Sequence, residues 1–408
     1  MKMAWLVVAL LIPVALLNYL DRQMISAMKA SVMGDIRDIA LEENWGYMLG
    51  QFKWVYAFLS PIGGYIADRF SRRLTICSSL MAWSLITFLT GHVTSYQGLL
   101  WTRTLMGVSE AFYIPAALAL IADYHIGPTR SRAIGLHQMG IYFGVIIGGF
   151  SGFAADSPVL GWQGAFKIIG VIGIVYAIPL LFFLRDVPLV DNLGKELKPS
   201  VIESLTSLLS SGSFALLVAY FTLPALAGWV VRDWMPSILR DSFNIGQGLA
   251  GVSATLPWQC AAIVAAITGG WFADRWMQKN IRGRIYVSAA GMGLTIPALL
   301  CFGFATHIGS FTLALFALFV YGIGWGLFDC NNMPILCQIV RPNLRATGYG
   351  IMNMVSISCG GFADWKFGKL RDSHIPISVI FGVFAGICVL SVILVLLIRP
   401  RPIQELSQ

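Results

Sequence analysis

Ionisable side chains stand inside apolar runs of this chain, at depths where their only partners are one another. Asp21 and Arg22 interrupt the first run, and Lys53 interrupts the second. Arg103 and Glu110 share the fourth, seven residues apart, which is close to two helical turns and puts both on one helix face. Tyr19 stands just before Asp21 and Arg22, and Tyr56 follows Lys53 on the same face. A charge buried among apolar residues is costly unless paired or hydrated, so such a group marks a functional site by default. The chemistry on offer is recognition of an anion by guanidinium and ammonium groups, beside carboxylates able to load and release protons. Arg103, with Arg22 and Lys53 behind it, is the expected anion selector, and an anion competing with Glu110 for the Arg103 guanidinium would free Glu110 to take a proton. Paired purely for structure, Asp21 and Arg103 would simply join two helices, but buried pairs seldom repay their own desolvation, and several together need another reason.

The later part of the chain offers neutral donors instead. Asp329, Asn331 and Asn332 interrupt a tenth run, and Asn353, Ser356 and Ser358 lie along an eleventh. Asn331, Asn332 and Asn353, with Gln138 from the fifth run, are expected to line the same cavity, and Asp329 joins Asp21 and Glu110 as a proton-coupling candidate. Lys53 sits in the outer third of its run, where its stem is long enough to snorkel to an interface.

The elements that hold these residues follow from composition. The 408 residues are 57% apolar and only 12% charged, against about 25% charged for a soluble chain. Mean hydropathy is +0.73. This is an all-α integral membrane protein, with twelve spans expected near 4–32, 47–69, 74–93, 97–123, 132–155, 164–184, 212–239, 247–273, 284–306, 309–338, 345–368 and 375–398. The first run leads into polar residues without a small-residue cleavage site, so it reads as a mature span and not a signal peptide. Twelve spans put both termini on one side. That side collects seventeen Lys and Arg and the other seven, which makes it the cytoplasmic side of what is expected to be a bacterial inner membrane. The net charge of +8 is spread over short loops with no contiguous basic face, so nucleic acid is not expected as a partner. The seven cysteines all fall within apolar runs and read as packing residues, with no metal-ligand spacing.

The chain reads as two related halves: 1–185 a six-helix bundle, 186–211 a polar cytoplasmic linker, and 212–408 a second six-helix bundle. Gly64-Tyr65-Ile66-Ala67-Asp68-Arg69 recurs as Gly270-Trp271-Phe272-Ala273-Asp274-Arg275, 206 positions later. Arg132-Ala133-Ile134-Gly135 recurs as Arg345-Ala346-Thr347-Gly348, 213 positions later. Two parallel repeats of this kind place a binding site between them near the bilayer midplane.

Here the sequence resembles the major facilitator superfamily of secondary transporters. Gly64 to Arg73 is similar to that family's G-x-x-x-D-R-x-x-R-R/K loop, and the resemblance covers essentially the whole chain. It implies two pseudo-symmetric six-helix bundles, alternating access, and a gating role for Gly64, Asp68, Arg69, Arg72, Arg73, Asp274 and Arg275. Asp68, at a helix C-terminus, wants a cationic partner; the alternative is that the arginines only anchor helix ends. Asn18-Tyr19-Leu20-Asp21-Arg22, Phe52-Lys53-Trp54-Val55-Tyr56, and Arg103 with Glu110-Ala111 and Pro115-Ala116 are similar to the anion:cation symporter branch. By that resemblance Tyr19, Arg22, Tyr56 and Arg103 touch substrate, while Asp21 and Glu110 carry protons. Thr102-Arg103, Glu110-Ala111 and Ile121-Ala122-Asp123 also resemble the spinster branch of lipid exporters. Lys53 departs from both branches, where an uncharged residue is expected.

The stripe Gly140, Gly144, Gly148 and Gly152 leaves one face of the fifth span bare for close packing, which the resemblance directs at the eighth or eleventh span. His137 reads as a hydrogen-bonding structural residue. There is no Walker A loop, nucleotide fold, HExxH or nucleophile-base pattern, so neither ATP-driven pumping nor an enzyme is expected, and no cofactor. The expected function is proton-coupled symport of a small organic anion, a sugar acid or other carboxylate, by a monomer in the lipid bilayer. A spinster-like exporter of lysolipid or another amphipath, and a solute sensor that has lost transport, are the alternatives.

Overall fold

The computed structural model describes residues 2–125, 129–186, 206–341 and 344–400, without the side chains of Lys2, residues 64–69, Ser131 and Ala346. The helices run in chain order as α1 (Lys2–Ala27), α2 (Lys29–Asp35), α3 (Glu42–Arg69), α4 (Arg72–Thr90), α5 (Tyr96–Glu110), α6 (Tyr113–Tyr124), α7 (Arg130–Gly149), α8 (Ser151–Asp156), α9 (Gly161–Phe183), α10 (Gly212–Phe243), α11 (Gln247–Met277), α12 (Gly283–Ile308), α13 (Phe311–Cys337), α14 (Arg345–Asp372) and α15 (Ile377–Leu397). Among the described residues, 10 helical segments are long and apolar enough to cross a membrane. The second and eleventh expected spans are absent from these ten. Both exist as helices of 28 residues, α3 and α14, whose glycines and polar side chains hold their mean hydropathy below that of the ten.

Capping chemistry marks several ends. Ser71 accepts from the Leu74 N–H to open α4, and Ser95 from the Gly98 N–H to open α5. Gly309 at φ 70° closes α12 in the left-handed conformation that glycine tolerates. The expected fourth span is broken at Ala111–Phe112 into α5 and α6. Pro115 has no N–H, so the Ala111 carbonyl loses its helical donor. α3 packs against this break at Gly63, where a Cβ would sit 2.6 Å from that carbonyl.

The chain forms two units: Met1–Val190 with Arg232–Thr255 and Gly361–Ser373, and Asp191–Val231 with Leu256–Gly360 and His374–Gln408. The division differs from a single cut in the 186–211 connection, because parts of α10, α11 and α14 belong to the first unit. Residues 187–205 of that connection lie outside the described residues. In the first unit Val7, Leu11, Ile76, Leu80, Trp83 and Met106 form the core; in the second, Phe214, Leu217, Met292, Phe328 and Ile335 do. Large apolar side chains such as Phe58, Phe182 and Val264 are exposed, as expected of surfaces solvated by lipid.

The glycine stripe packs on a different neighbour from the expected one. Gly140, Gly144 and Gly148 lie against the carbonyls of Ile12, Leu16 and Leu20 on α1; only Gly152, against Gln247, meets the eighth span. A Cβ at Gly140 would stand 2.7 Å from the Ile12 carbonyl, whereas Gly135 on the same helix has open space. Gly140→Val is expected to cost about 1–3 kcal/mol by overpacking, and Gly135→Val much less. Thermal unfolding of both variants in detergent checks this, and equal losses would contradict it.

Candidate functional site

The site is built inside the first unit from α1, α3, α4 and α5, and from the parts of α10 and α14 that belong to it. Glu110 is the last residue of α5, fully buried, and its position at a helix C-terminus disfavours a lone anion. Arg22 supplies the counter-charge: its Nε donates to Glu110 Oε2 at 2.5 Å. The Arg22 guanidinium also lies 4.9 Å from the Tyr19 ring centre, 4.9 Å from Phe52 and 4.7 Å from Tyr56. Three aromatic faces around one desolvated guanidinium hold it by cation–π attraction. The pair keeps unused capacity, because Arg22 Nη2 and Glu110 Oε1 are buried without a hydrogen-bond partner. A second guanidinium, that of Arg232 on α10, stands 4.9 Å from the Tyr19 ring centre.

This corrects the expected pairing. Arg103 and Glu110 share a face of α5, but the guanidinium that reaches Glu110 is that of Arg22. Arg103 is buried, donates through Nη2 to Thr90 Oγ1 at 3.2 Å, and lies 5.7 Å from the Phe166 ring centre. Asp21 accepts from Thr87 Oγ1 at 2.7 Å, and its other oxygen has no partner. Thr87 and Thr90 lie three residues apart on one face of α4, so that helix positions a carboxylate and a guanidinium side by side.

Lys53 is also corrected. It does not snorkel; it is 3% exposed and ion-paired with both Asp233 of α10 and Asp364 of α14. Asp364 is fully buried. Sequence reasoning left Asp364 out, although it is an ionisable residue inside the expected span 345–368, the same signal that singled out Lys53.

The remaining candidates are dispersed. Gln138 and Asn353 are half-buried, in the first and second units respectively. In the second unit Asn331 and Asn332 are buried; Asn331 donates to the Leu327 carbonyl at 2.9 Å, and neither amide atom of Asn332 has a partner. Asp329 is exposed, unlike its two asparagine neighbours. His137 is buried and hydrogen-bonds the Tyr113 hydroxyl at 2.9 Å.

Of the gating motif, Gly64, Asp68 and Arg69 have side chains outside the described residues. Arg72 pairs with Asp123, while the Arg73 N–H donates to Asp186 Oδ1 at 2.9 Å and its guanidinium to the Leu181 carbonyl. These contacts tie the start of α4 to the ends of α6 and α9. Asp274 and Arg275 are exposed in the second unit; Asp274 pairs with Arg284, and Arg275 lies 5.8 Å from the Trp271 ring centre.

The family model described as Major Facilitator Superfamily matches residues 11–363. Protein spinster homolog 1 of Homo sapiens is 30% identical over 397 residues, covering 90% of this chain and 73% of that protein. Protein spinster homolog 1 of Xenopus tropicalis is 26% identical, covering 90% of this chain and 72% of the relative. A probable L-galactonate transporter of Escherichia coli (strain K12) is 26% identical, covering 88% of this chain and 81% of the relative. Among solved structures, a bacterial homologue of the human lysosomal transporter spinster superposes with a TM-score of 0.78 at 20% identity, covering 97% of this chain and 95% of the other. That likeness carries the fold.

Proposed function

Because the chain belongs to the major facilitator superfamily of multi-pass membrane transporters, we propose that it moves a small organic anion together with protons by alternating access. The observation that carries this reading is Arg22: a desolvated guanidinium, stacked among Tyr19, Phe52 and Tyr56, paired to Glu110 through one edge and unpaired at Nη2. A carboxylate ligand matches that free edge. Charge balance supports proton coupling. Asp21, Glu110, Asp233 and Asp364 oppose Arg22, Lys53, Arg103 and Arg232, four against four, within the first unit. An arriving monoanion leaves one uncompensated negative charge, which a proton neutralises at less cost than burying it.

In this reading Tyr19, Arg22, Tyr56 and Arg103 hold substrate, Asp21 and Glu110 carry protons, and Gln138, Asn331, Asn332 and Asn353 supply neutral hydrogen bonds. Lys53 leaves the substrate set, being occupied by two carboxylates, and Asp329 leaves the proton set, being exposed. The working form is a monomer with both termini on the cytoplasmic side of a bacterial inner membrane, in line with the seventeen-to-seven division of basic residues. The sugar-acid class is favoured by the relative described as a probable L-galactonate transporter. The second reading, export of an amphipath, is favoured by the spinster relatives.

The deciding experiment is uptake by the reconstituted protein of L-galactonate, other sugar acids, their neutral amides and a lysolipid, with and without an inward proton gradient. Accumulation of an anion only under the gradient, with the amide at least about tenfold poorer, is the expected result. Preference for the amide or lysolipid replaces this reading with the second.

A further inference from the structure

Among the described residues, Asp364 has one ion-pair partner, Lys53. Lys53 and Asp233 are the charged groups that act on it, and Trp234 stands beside it. Asp233 has a second cation in its vicinity, Arg232. Of the other cations in this part of the unit, Lys29 pairs with Glu42, Arg240 and Arg371 pair with Asp241, and Lys366 lies over the Trp365 ring. Asp364 is 0% exposed, and its Oδ1 has no hydrogen-bond partner. Without Lys53 it would be a buried anion with no counter-charge, among the costliest arrangements a protein can hold.

The surrounding packing is close. A Cβ at Gly50 of α3 would sit 2.7 Å from the Gly361 carbonyl of α14. The Asp372 carboxylate at the end of α14 caps α3, accepting from the N–H groups of Glu42 and Glu43 at 3.0 and 2.8 Å. Lys53 belongs to the first repeat of the sequence, whereas Asp233 and Asp364 belong to the second. Resting on the alternating-access reading above, this contact is one that must open and close as the repeats move.

We propose that Lys53, Asp233 and Asp364 form an ion-pair lock, and that Asp364 is an additional proton-binding site which is filled whenever Lys53 withdraws. On opening, the Asp364–Lys53 ion pair separates and Asp364 takes one proton from water. On closing, the Lys53 ammonium displaces that proton, which returns to water, and the ion pair reforms. Protonation of Asp364 weakens the lock, so the lock is strongest at high pH and loosens as pH falls.

Hydrogen–deuterium exchange on the full chain in lipid nanodiscs tests this without any substrate. Backbone exchange in 47–58 and 361–372, corrected for intrinsic pH dependence, is followed at about pH 5.5 and about pH 8. The expected wild-type result is exchange about tenfold faster at the lower pH in these two segments, with α12 unchanged as the internal control. In Asp364→Asn the segments should exchange fast at both pH values, and Lys53→Met should behave likewise. No pH difference in the wild type overturns the proposal, as does a difference that survives in Asp364→Asn. Failure here leaves substrate uptake by the wild type untouched, so the two readings fail separately.

Discussion

Arg22→Ala is expected to abolish anion transport, with a fall of about a hundredfold or more. Two losses combine. The guanidinium edge that faces substrate disappears, and a fully buried Glu110 is left without its counter-charge. Breaking a buried pair by removing one partner costs about 3–5 kcal/mol, so the variant should also melt at a lower temperature. Arg22→Lys keeps the charge but loses the planar fork and its stacking on Tyr19, Phe52 and Tyr56, and is expected to lose about tenfold. The double variant Arg22→Ala with Glu110→Gln separates the two causes. Removing both charges should restore most of the thermal stability while leaving transport absent. Wild-type transport by the double variant would show that Arg22 serves only to neutralise Glu110.

How these charges pair was less legible in the sequence than which charges matter. Arg22, Asp21, Arg103 and Glu110 stood out because each interrupts an apolar run. Helical spacing correctly put Arg103 and Glu110 on one face, but spacing within a helix says nothing about which neighbouring helix meets that face. Hence Glu110 was matched to Arg103, when Arg22 from α1 reaches it. The same limit applies to the glycines. Their four-residue period announced close packing, yet α1, and not a later span, covers Gly140, Gly144 and Gly148.

Lys53 shows a different limit. Read alone, a long cationic stem near the end of a span points to an interface. Its two carboxylates come from 180 and 311 positions further along the chain, and only tertiary structure brings them together. A charge inventory by depth would have found Asp364, since a buried cation needs a partner. The second and eleventh spans fall outside the hydropathy-based set because glycines and polar side chains dilute their apolar character.

Glu110→Gln should separate coupling from binding. The glutamine amide oxygen can still accept from Arg22 Nε, so the local geometry is retained, while the site loses the group that exchanges a proton. Gradient-driven accumulation is expected to vanish, and substrate exchange down its own gradient to persist within about threefold. Affinity should move the opposite way from a damaged site. In the wild type an incoming anion competes with the Glu110 carboxylate for Arg22; in the variant that competitor is neutral. A charge-assisted hydrogen bond is worth about 1.5–3 kcal/mol, so the anion should bind about ten- to a hundredfold more tightly and leave more slowly. Tighter equilibrium binding with lost accumulation, measured by calorimetry and by uptake under an imposed proton gradient, is the signature of a carboxylate that yields its guanidinium to substrate. Asp21→Asn makes the contrast, because Asp21 bonds Thr87 and not Arg22: it should change coupling without this gain in affinity. Undiminished accumulation in Glu110→Gln, or weaker binding, would place the exchanging proton elsewhere and leave Arg22–Glu110 a structural pair.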